Sequence, residues 1–254
     1  MENTVKEVDN YAIVASFYDY LMRHVNYRRW YRFVADVLKR NHVPDTTLLE
    51  FACGTGNMLL YFAKAGWSVV GVDKSQAMLD VARWKLSEYQ SSAQLYNGDM
   101  REERIYGEFA AVICLYDSIN YCLDEQELQR TVLNMLNNLI SGGVLIFDIC
   151  TVNNCSNNFR NYTEKEFFGN KDYTRKAFFD VTTNQQVNEF WITSIPQNEI
   201  VFHEMHVQQI YRIDRVKEMI EEIGSCRIDG IFENYTRRPG LEKSDRVHFV
   251  ITKL

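Results

Sequence analysis

Apolar residues recur at helical spacing along residues 11–41: Tyr11, Val14, Phe17, Tyr18 and Leu21, then Tyr27, Trp30, Phe33, Val34, Val37 and Leu38. This predicts two helices, which Pro44-Asp45 brings to an end. From there strand-like and helix-like periods alternate. Leu48-Leu49-Glu50-Phe51 is an apolar run, Asn57–Ala65 forms a helix, and Trp67–Asp73 is a second strand. Ser75 caps a helix carrying Met78, Leu79, Ala82 and Leu86, and Ala93–Tyr96 is a short strand. Ala110–Leu115 reads as a buried strand, and Asp124 with Glu127 makes a capping-box-like start for a helix bearing Leu128, Val132, Met135, Leu136 and Leu139. Gly142-Gly143 stops that helix before the buried strand Val144–Ile149. Such alternation implies a parallel sheet with right-handed crossovers.

After Cys150 the pattern changes. A polar loop rich in asparagine (Asn153, Asn154, Asn157, Asn158, Asn161) leads to three strand-like runs without helices between them, near Thr174–Thr183, Gln186–Ile195 and Glu199–Tyr211. Turn chemistry separates them at Thr183-Asn184 and Pro196-Gln197-Asn198, as in an inserted antiparallel sheet. A helix Arg215–Ile223, closed by Gly224, and two strands, Cys226–Asn234 and Val247–Thr252, then complete the main sheet. The boundaries are a helical lid over 1–46, an α/β core over 47–150, an antiparallel insert over 151–211 and a C-terminal completion over 212–254.

With 46% hydrophobic residues and three prolines among 254 residues, the chain suits one α/β domain plus an insertion and suggests no disordered linker. The polar, acidic first ten residues do not read as a signal peptide, and no apolar stretch approaches membrane-spanning length. Cys53, Cys114, Cys122, Cys150, Cys155 and Cys226 include no C-x-x-C pair, and several sit in core strands, so a reducing cytoplasm is the expected setting. The formal net charge of −6 argues against a nucleic-acid partner. The best basic face, Arg28, Arg29, Arg32, Lys39 and Arg40, reads as a solvated helix surface that Asp36 interrupts.

The chemistry concentrates where strands end. Glu50 closes the first core strand, and Ala52-Cys53-Gly54-Thr55-Gly56 turns into the next helix, with glycines that let a ligand lie against the backbone. Asp73 closes the second strand, placed to accept both hydroxyls of a ribose. The third glycine of a dinucleotide fingerprint is replaced by Leu59, and Glu50 would repel a diphosphate, which opposes an NAD-binding oxidoreductase. An acid there suits a cationic amino group. A nucleoside carrying an amino-acid tail meets these demands, and S-adenosylmethionine (SAM) is such a molecule.

Asn97-Gly98-Asp99-Met100 and the loop Leu115-Tyr116-Asp117-Ser118-Ile119-Asn120-Tyr121 follow at the next strand ends. Taken in order, these segments resemble the motifs of class I SAM-dependent methyltransferases. The resemblance implies a seven-stranded, mostly parallel Rossmann-like sheet with helices on both faces, an N-terminal helical lid and an inserted antiparallel sheet. It also implies that Gly54 and Gly56 lie along the methionine portion, Asp73 on the ribose, Asp99 on the adenine amino group and the Met100 backbone on the ring. Further contacts are implied from Glu50, Ala52, Cys53, Lys74 and Met78, from Leu115, Tyr116 and Ser118, and from Tyr18, Tyr27 and Trp30 of the lid. The insert resembles that of sugar-amine N,N-dimethyltransferases, and more closely a set of bacterial methyltransferases with an Asp-Ser-Ile/Leu-Asn-Tyr loop and no settled substrate. Where the sugar-amine enzymes have a histidine, this chain has Tyr121.

Methyl transfer from a sulfonium is an in-line displacement in which positioning dominates, and a base is needed only for a protonated or hydroxyl acceptor. Glu204, His206 and Gln208 share one face of a strand, and related chains carry a histidine at the place of His206. That makes His206 the first candidate base, with Tyr121 and Asp117 facing it. Asp117 and Asp148 end neighbouring strands, yet Ile149-Cys150 stands where metal-dependent catechol methyltransferases need an Asp-Asn pair, so no metal is expected. The resulting expectation is transfer from SAM to a nitrogen or oxygen of a small-molecule acceptor, giving S-adenosylhomocysteine (SAH), by a monomer or homodimer without membrane association. Alternatives are an rRNA- or tRNA-directed methyltransferase and a catalytically silent SAM-binding module.

Overall fold

The computed structural model describes residues 4–102, 104–194 and 200–254. Strand β1 (Thr4–Glu7) comes first, followed by a 3-10 turn at Val14–Phe17 and the helices α1 (Tyr18–Leu21) and α2 (Tyr27–Arg40). The core runs β2 (Thr47–Phe51), α3 (Asn57–Lys64), β3 (Ser68–Asp73), α4 (Gln76–Glu88), β4 (Gln94–Asn97), β5 (Phe109–Cys114), α5 (Glu125–Asn137) and β6 (Leu139–Cys150). Then come α6 (Val152–Asn158), β7 (Asn161–Phe168), β8 (Lys171–Asp180), β9 (Gln185–Ser194) and β10 (Ile200–Gln209). The chain finishes with α7 (Ile213–Ile223), β11 (Cys226–Glu233) and β12 (Arg246–Lys253).

Seven strands form the main sheet in the order β11-β12-β6-β5-β2-β3-β4, and only β12 runs against the rest. The order reverses between β2 and β5, which opens a crevice at the carboxyl ends of those strands. β5 and β6 are buried over nearly their whole length, as expected of strands covered on both faces. One apolar layer unites Leu49, Phe51, Val112, Leu145, Phe147 and Phe249 with α5 and α7. The other packs Leu48, Leu59, Phe62, Ile113, Ile146 and Val250 against α2 and α3.

The second sheet has the order β1-β10-β9-β8-β7. Its inner face carries Tyr173, Phe190 and Ile192, which clamp Val14, Phe17, Leu21 and Met22 of the N-terminal segment. Phe17 and Tyr173 stack with ring centroids 4.9 Å apart. The lid and the roof are therefore one packed unit above the crevice.

Several elements differ from the sequence expectation. The asparagine-rich stretch is not a loop: Thr151 Oγ1 accepts the Asn154 N–H at 3.2 Å and caps α6, and the unexpected strand β7 follows. A charged run, Glu164-Lys165-Glu166, fills the middle of β7, so it lacks an apolar period, and pairing with β8 creates it. The first lid helix is only a 3-10 turn and one turn of α-helix, and the polar N-terminus contributes β1, parallel to β10. Gly142-Gly143 lies inside β6 rather than ending α5, with Gly142 at φ +75° beside the register shift with β5. The expected turn at Pro196-Gln197-Asn198, with the strand ends Ile195 and Glu199, lies outside the described residues. All six cysteines are free thiols. Among the described residues, no helix is long and apolar enough to cross a membrane.

Gly71, inside β3, leaves room for the side chains of Leu59 from α3, Leu95 from β4 and Cys53 to close over the strand. A Cβ there would meet Leu59 Cδ1 at 2.5 Å, Leu95 Cδ2 at 2.8 Å and Cys53 Sγ at 2.9 Å. Gly71→Ala is expected to cost ~1–3 kcal/mol by overpacking. Urea denaturation checks this, and an unchanged midpoint would contradict the packing described.

Candidate active site

The glycine loop turns sharply between β2 and α3 because Ala52 (φ +52°), Gly54 (φ +53°) and Gly56 (φ +75°) all take left-handed conformations. Gly56 caps α3, and a Cβ on it would press on Ala82 Cβ at 3.1 Å, so α3 and α4 sit close together. Gly54 faces open space on its Cβ side. Its N–H donates to Asp73 Oδ2 at 2.8 Å, and the Ser75 N–H donates to Oδ1 at 2.8 Å. Asp73 is thereby fixed at the strand end, with burial pushing its carboxyl up against the pull of those two donors.

Glu50 lies below, only 4% exposed, and its Oε2 is a buried acceptor without a partner. Burial, and then the nearby Asp73 charge, push its carboxyl well above the usual range, although the Leu59 N–H opposes this. An orphaned carboxylate oxygen beneath an open glycine backbone fits a ligand bearing an ammonium group.

Above these groups is a cleft of about 820 Å³. Tyr18, Ala52, Gly54, Asp73, Lys74, Met78, Asp99, Met100, Ser118 and Tyr121 all line it. Asp99, expected on the adenine amino group, is gripped by Arg101 through Nε at 2.9 Å and Nη2 at 2.6 Å, with Lys74 Nζ at 3.2 Å. Burial raises its carboxyl, but the Arg101 hydrogen bonds outweigh that and hold it well below the usual range. The set of groups at the cleft fits SAM: Asp73 toward the ribose and a rim of Asp99 and Met100 toward the base, with Glu50 buried behind the glycine loop.

A second cavity of about 380 Å³ lies between the sheet edge and the roof, and it includes Tyr116, Asp117 and His206. The two cavities share four residues, Tyr11, Tyr18, Ser118 and Tyr121, which form a neck between them. The non-glycine residues Tyr11 (φ +64°), Tyr116 (φ +64°) and Asp117 (φ +52°) are strained beside it. The loop is held in place by Arg246, whose Nη2 forms an ion pair with Asp117 Oδ1 at 2.6 Å and whose Nη1 pairs with Asp148. That guanidinium lies between the two carboxylates that ended neighbouring strands. Gln208 Nε2 adds donations to the Asp117 carbonyl and to Oδ2, each at 3.1 Å.

A hydrogen-bonded chain crosses the neck. Glu204, fully buried, accepts the backbone N–H groups of Tyr11 (2.8 Å), Ile13 (2.6 Å) and Val14 (2.9 Å), and its Oε2 lies 3.3 Å from His206 Nε2. His206 Nδ1 is 2.9 Å from the Tyr121 hydroxyl, which is 2.7 Å from that of Tyr11. A carboxylate only accepts, so His206 carries its proton on Nε2, Tyr121 donates to Nδ1, and Tyr11 donates to Tyr121. Burial first, then its Tyr121 neighbour, raises the Tyr11 phenol, while burial raises that of Tyr121, so both stay protonated.

Six expected contacts line neither cavity: Tyr27, Trp30, Glu50, Cys53, Gly56 and Leu115. Trp30 is core, 2% exposed, its ring 5.7 Å from that of Tyr116, which it supports from behind. Tyr27 packs beside the same loop, and Cys53 and Leu115 are buried in the apolar layer. Tyr11, Arg175, Asn188 and Arg246 line the second cavity without having been singled out. Tyr11 heads the aromatic stripe that the sequence displays, whereas nothing local marks the other three. On the basic face, Arg40 Nε donates to both Asp36 oxygens and Arg29 lies over the Tyr235 ring.

Residues 48–143 match a family model described as a methyltransferase domain. A chain from Geobacillus sp. (strain WCH70), assigned as a methyltransferase, is 28% identical over 96% of this chain and 99% of its own. A dTDP-3-amino-3,4,6-trideoxy-α-D-glucopyranose N,N-dimethyltransferase from Streptomyces venezuelae is 33% identical over 56% of this chain and 57% of its own. Among solved structures, an S-adenosylmethionine-dependent methyltransferase from Clostridium acetobutylicum ATCC 824 superposes with a TM-score of 0.82 at 24% identity, over 96% of this chain and 98% of that one.

Glu50 generates a pH prediction. Its raised folded-state pKa means that it favours folding below the unfolded glutamate range, and that this contribution is lost as pH rises through the folded value. Glu50→Gln should therefore raise the Tm of the ligand-free protein at pH above the ordinary glutamate range and flatten its fall as pH rises from there. The same change should weaken SAM binding by ~1–2 kcal/mol in calorimetry. A lower Tm with unchanged SAM affinity would contradict the role assigned to this carboxylate.

Proposed function

We propose that this chain, a class I SAM-dependent methyltransferase, moves the methyl group to a nitrogen or oxygen of a small-molecule acceptor and releases SAH. The observation that carries this reading is the neck formed by Tyr11, Tyr18, Ser118 and Tyr121 between the cofactor cleft and the roofed cavity. In-line displacement needs the nucleophile opposite the sulfur, on the far side of the methyl carbon. A separate chamber that meets the cleft only at a neck enforces that approach and excludes water from it. A chamber of about 380 Å³ suits a metabolite-sized acceptor better than an RNA strand. Relatives named for N,N-dimethylation of dTDP-linked amino sugars favour a nitrogen acceptor.

The sequence reading put His206 directly against the acceptor. Its two ring nitrogens are instead engaged by Glu204 and Tyr121, so we assign the acceptor contact to Tyr121. The Tyr121 oxygen accepts the Tyr11 hydroxyl hydrogen bond through one lone pair, which leaves the other for an acceptor in the chamber that Tyr121 lines. An acceptor N–H or O–H can pass its proton to the Tyr121 oxygen while the Tyr121 proton moves to His206 Nδ1. The imidazolium formed is paired with Glu204, whose carboxylate compensates the new charge. Asp117, bound by Arg246 and Gln208, shapes the loop rather than accepting the proton.

A panel of small amines and alcohols with methyl-labelled SAM tests the reading, and turnover of none of them, by protein that binds SAM, would contradict it. On an acceptor found this way, Tyr121→Phe and His206→Asn should each lower kcat by ~10²–10³-fold with SAM affinity unchanged. The double variant should lose little more than either single one. Multiplicative losses would show that the two residues do not act as one relay.

A further inference from the structure

Arg175 is the feature of the chamber that the transfer chemistry leaves unused. It shares the inner face of β8 with Tyr173 and Ala177, both buried, so its side chain projects into the roofed cavity. Nε and Nη2 both donate to a single neutral oxygen, Asn188 Oδ1, at 3.2 and 2.8 Å. Nη1 has no hydrogen-bond partner among the described residues, and no carboxylate there lies within ion-pair distance of the guanidinium. The cross-strand neighbour in register, Glu164, makes no ion pair with it. Of the carboxylates that line the cavity, Asp117 is bound by Arg246 and Asp245 lies toward Asn153.

Three rings surround the guanidinium, those of Phe159, Tyr162 and Phe190, with centroids 5.8, 5.6 and 5.7 Å from its central carbon. This apolar collar together with Asn188 fixes the direction of the remaining N–H groups and reduces their access to water. A fixed, partly desolvated guanidinium with an unused edge matches an oxyanion pair and offers nothing to an ammonium. Asn188 acts only as an acceptor for Arg175, which leaves its amide nitrogen available to the same anion.

We infer that Arg175 is an anion-binding residue of the acceptor chamber, and that the methyl acceptor carries a carboxylate or phosphate. This docks on the free guanidinium edge while the accepting atom reaches the neck beside Tyr121. The inference rests on the methyltransferase reading above and deepens it, because it names the charge of the acceptor.

The test uses SAH-loaded protein titrated by calorimetry with inorganic phosphate and, separately, with acetate, for the wild type, Arg175→Gln and Arg175→Lys. At least one anion should bind the wild type saturably, and which one does so distinguishes a phosphate from a carboxylate acceptor. Arg175→Gln should weaken that binding about tenfold or more, and Arg175→Lys should retain part of it, because it keeps the charge and loses the fork. SAH affinity should be equal in all three proteins, which confirms that the variants are folded. Equal anion binding by wild type and Arg175→Gln, or no binding of either anion to the wild type, overturns the inference. Turnover separates its failure from that of the parent reading. Methylation of only neutral or cationic acceptors, at rates that Arg175→Gln leaves unchanged, sinks the anion site and spares the enzyme. Arginine-dependent anion binding without any methylated product does the reverse.

Discussion

The arrangement above the cofactor cleft depends on one buried carboxylate. Glu204 is fully shielded from water and accepts three backbone N–H groups from the N-terminal segment, and it also faces the His206 ring. An unpaired charge in that position would be strongly destabilising. The segment Tyr11–Val14 must therefore remain wrapped over the roof strand to supply the donors. The same contact orients the imidazole, sets its tautomer and brings Tyr11 and Tyr121 to the neck. Lid, roof and proton path are thus different consequences of satisfying one acid. A second set of contacts ties the lid to the glycine loop from below. Asp19 accepts from Thr55 Oγ1 at 2.7 Å and Asn57 Nδ2 at 2.9 Å, and pairs with Lys85 at 2.7 Å.

The loop after β5 is organised by the same logic. Tyr116 and Asp117 adopt a left-handed backbone that costs free energy, and the surroundings hold them there. Arg246, arriving from the last strand, bridges Asp117 and Asp148. Burial alone would depress its guanidinium, and the two carboxylates more than offset that. The ion pair ties together the ends of two neighbouring strands of the main sheet. The C-terminal strand is needed here for its charge as well as for the sheet.

What could be read from the sequence follows from what is local. Gly54, Asp73 and Asp99, which line the cleft, stand at places the sequence marks because a strand, a tight turn and a helix are each short-range patterns, and the crevice follows from their order. The face shared by Glu204, His206 and Gln208 was legible from period-two alternation, and all three are buried toward the chamber. The relay was not legible, because it depends on contacts spanning 85 residues between Tyr121 and His206 and 193 between Tyr11 and Glu204. β7 escaped notice for a related reason: a run of charges occupies its middle, and only the partner strand makes it a strand. Trp30 was misread because an aromatic stripe looks the same whether it faces a ligand or the core. Arg175 carries no local signal, since its meaning lies in the carboxylate it lacks.

The central claim is that the methyl group crosses the neck between two chambers. A crystal structure with SAH bound tests it most directly. The account predicts that the ribose hydroxyls lie on Asp73 and that the sulfur points through Tyr11, Tyr18, Ser118 and Tyr121 toward the roofed cavity. A sulfur directed to bulk solvent, with the neck closed behind it, would contradict the account.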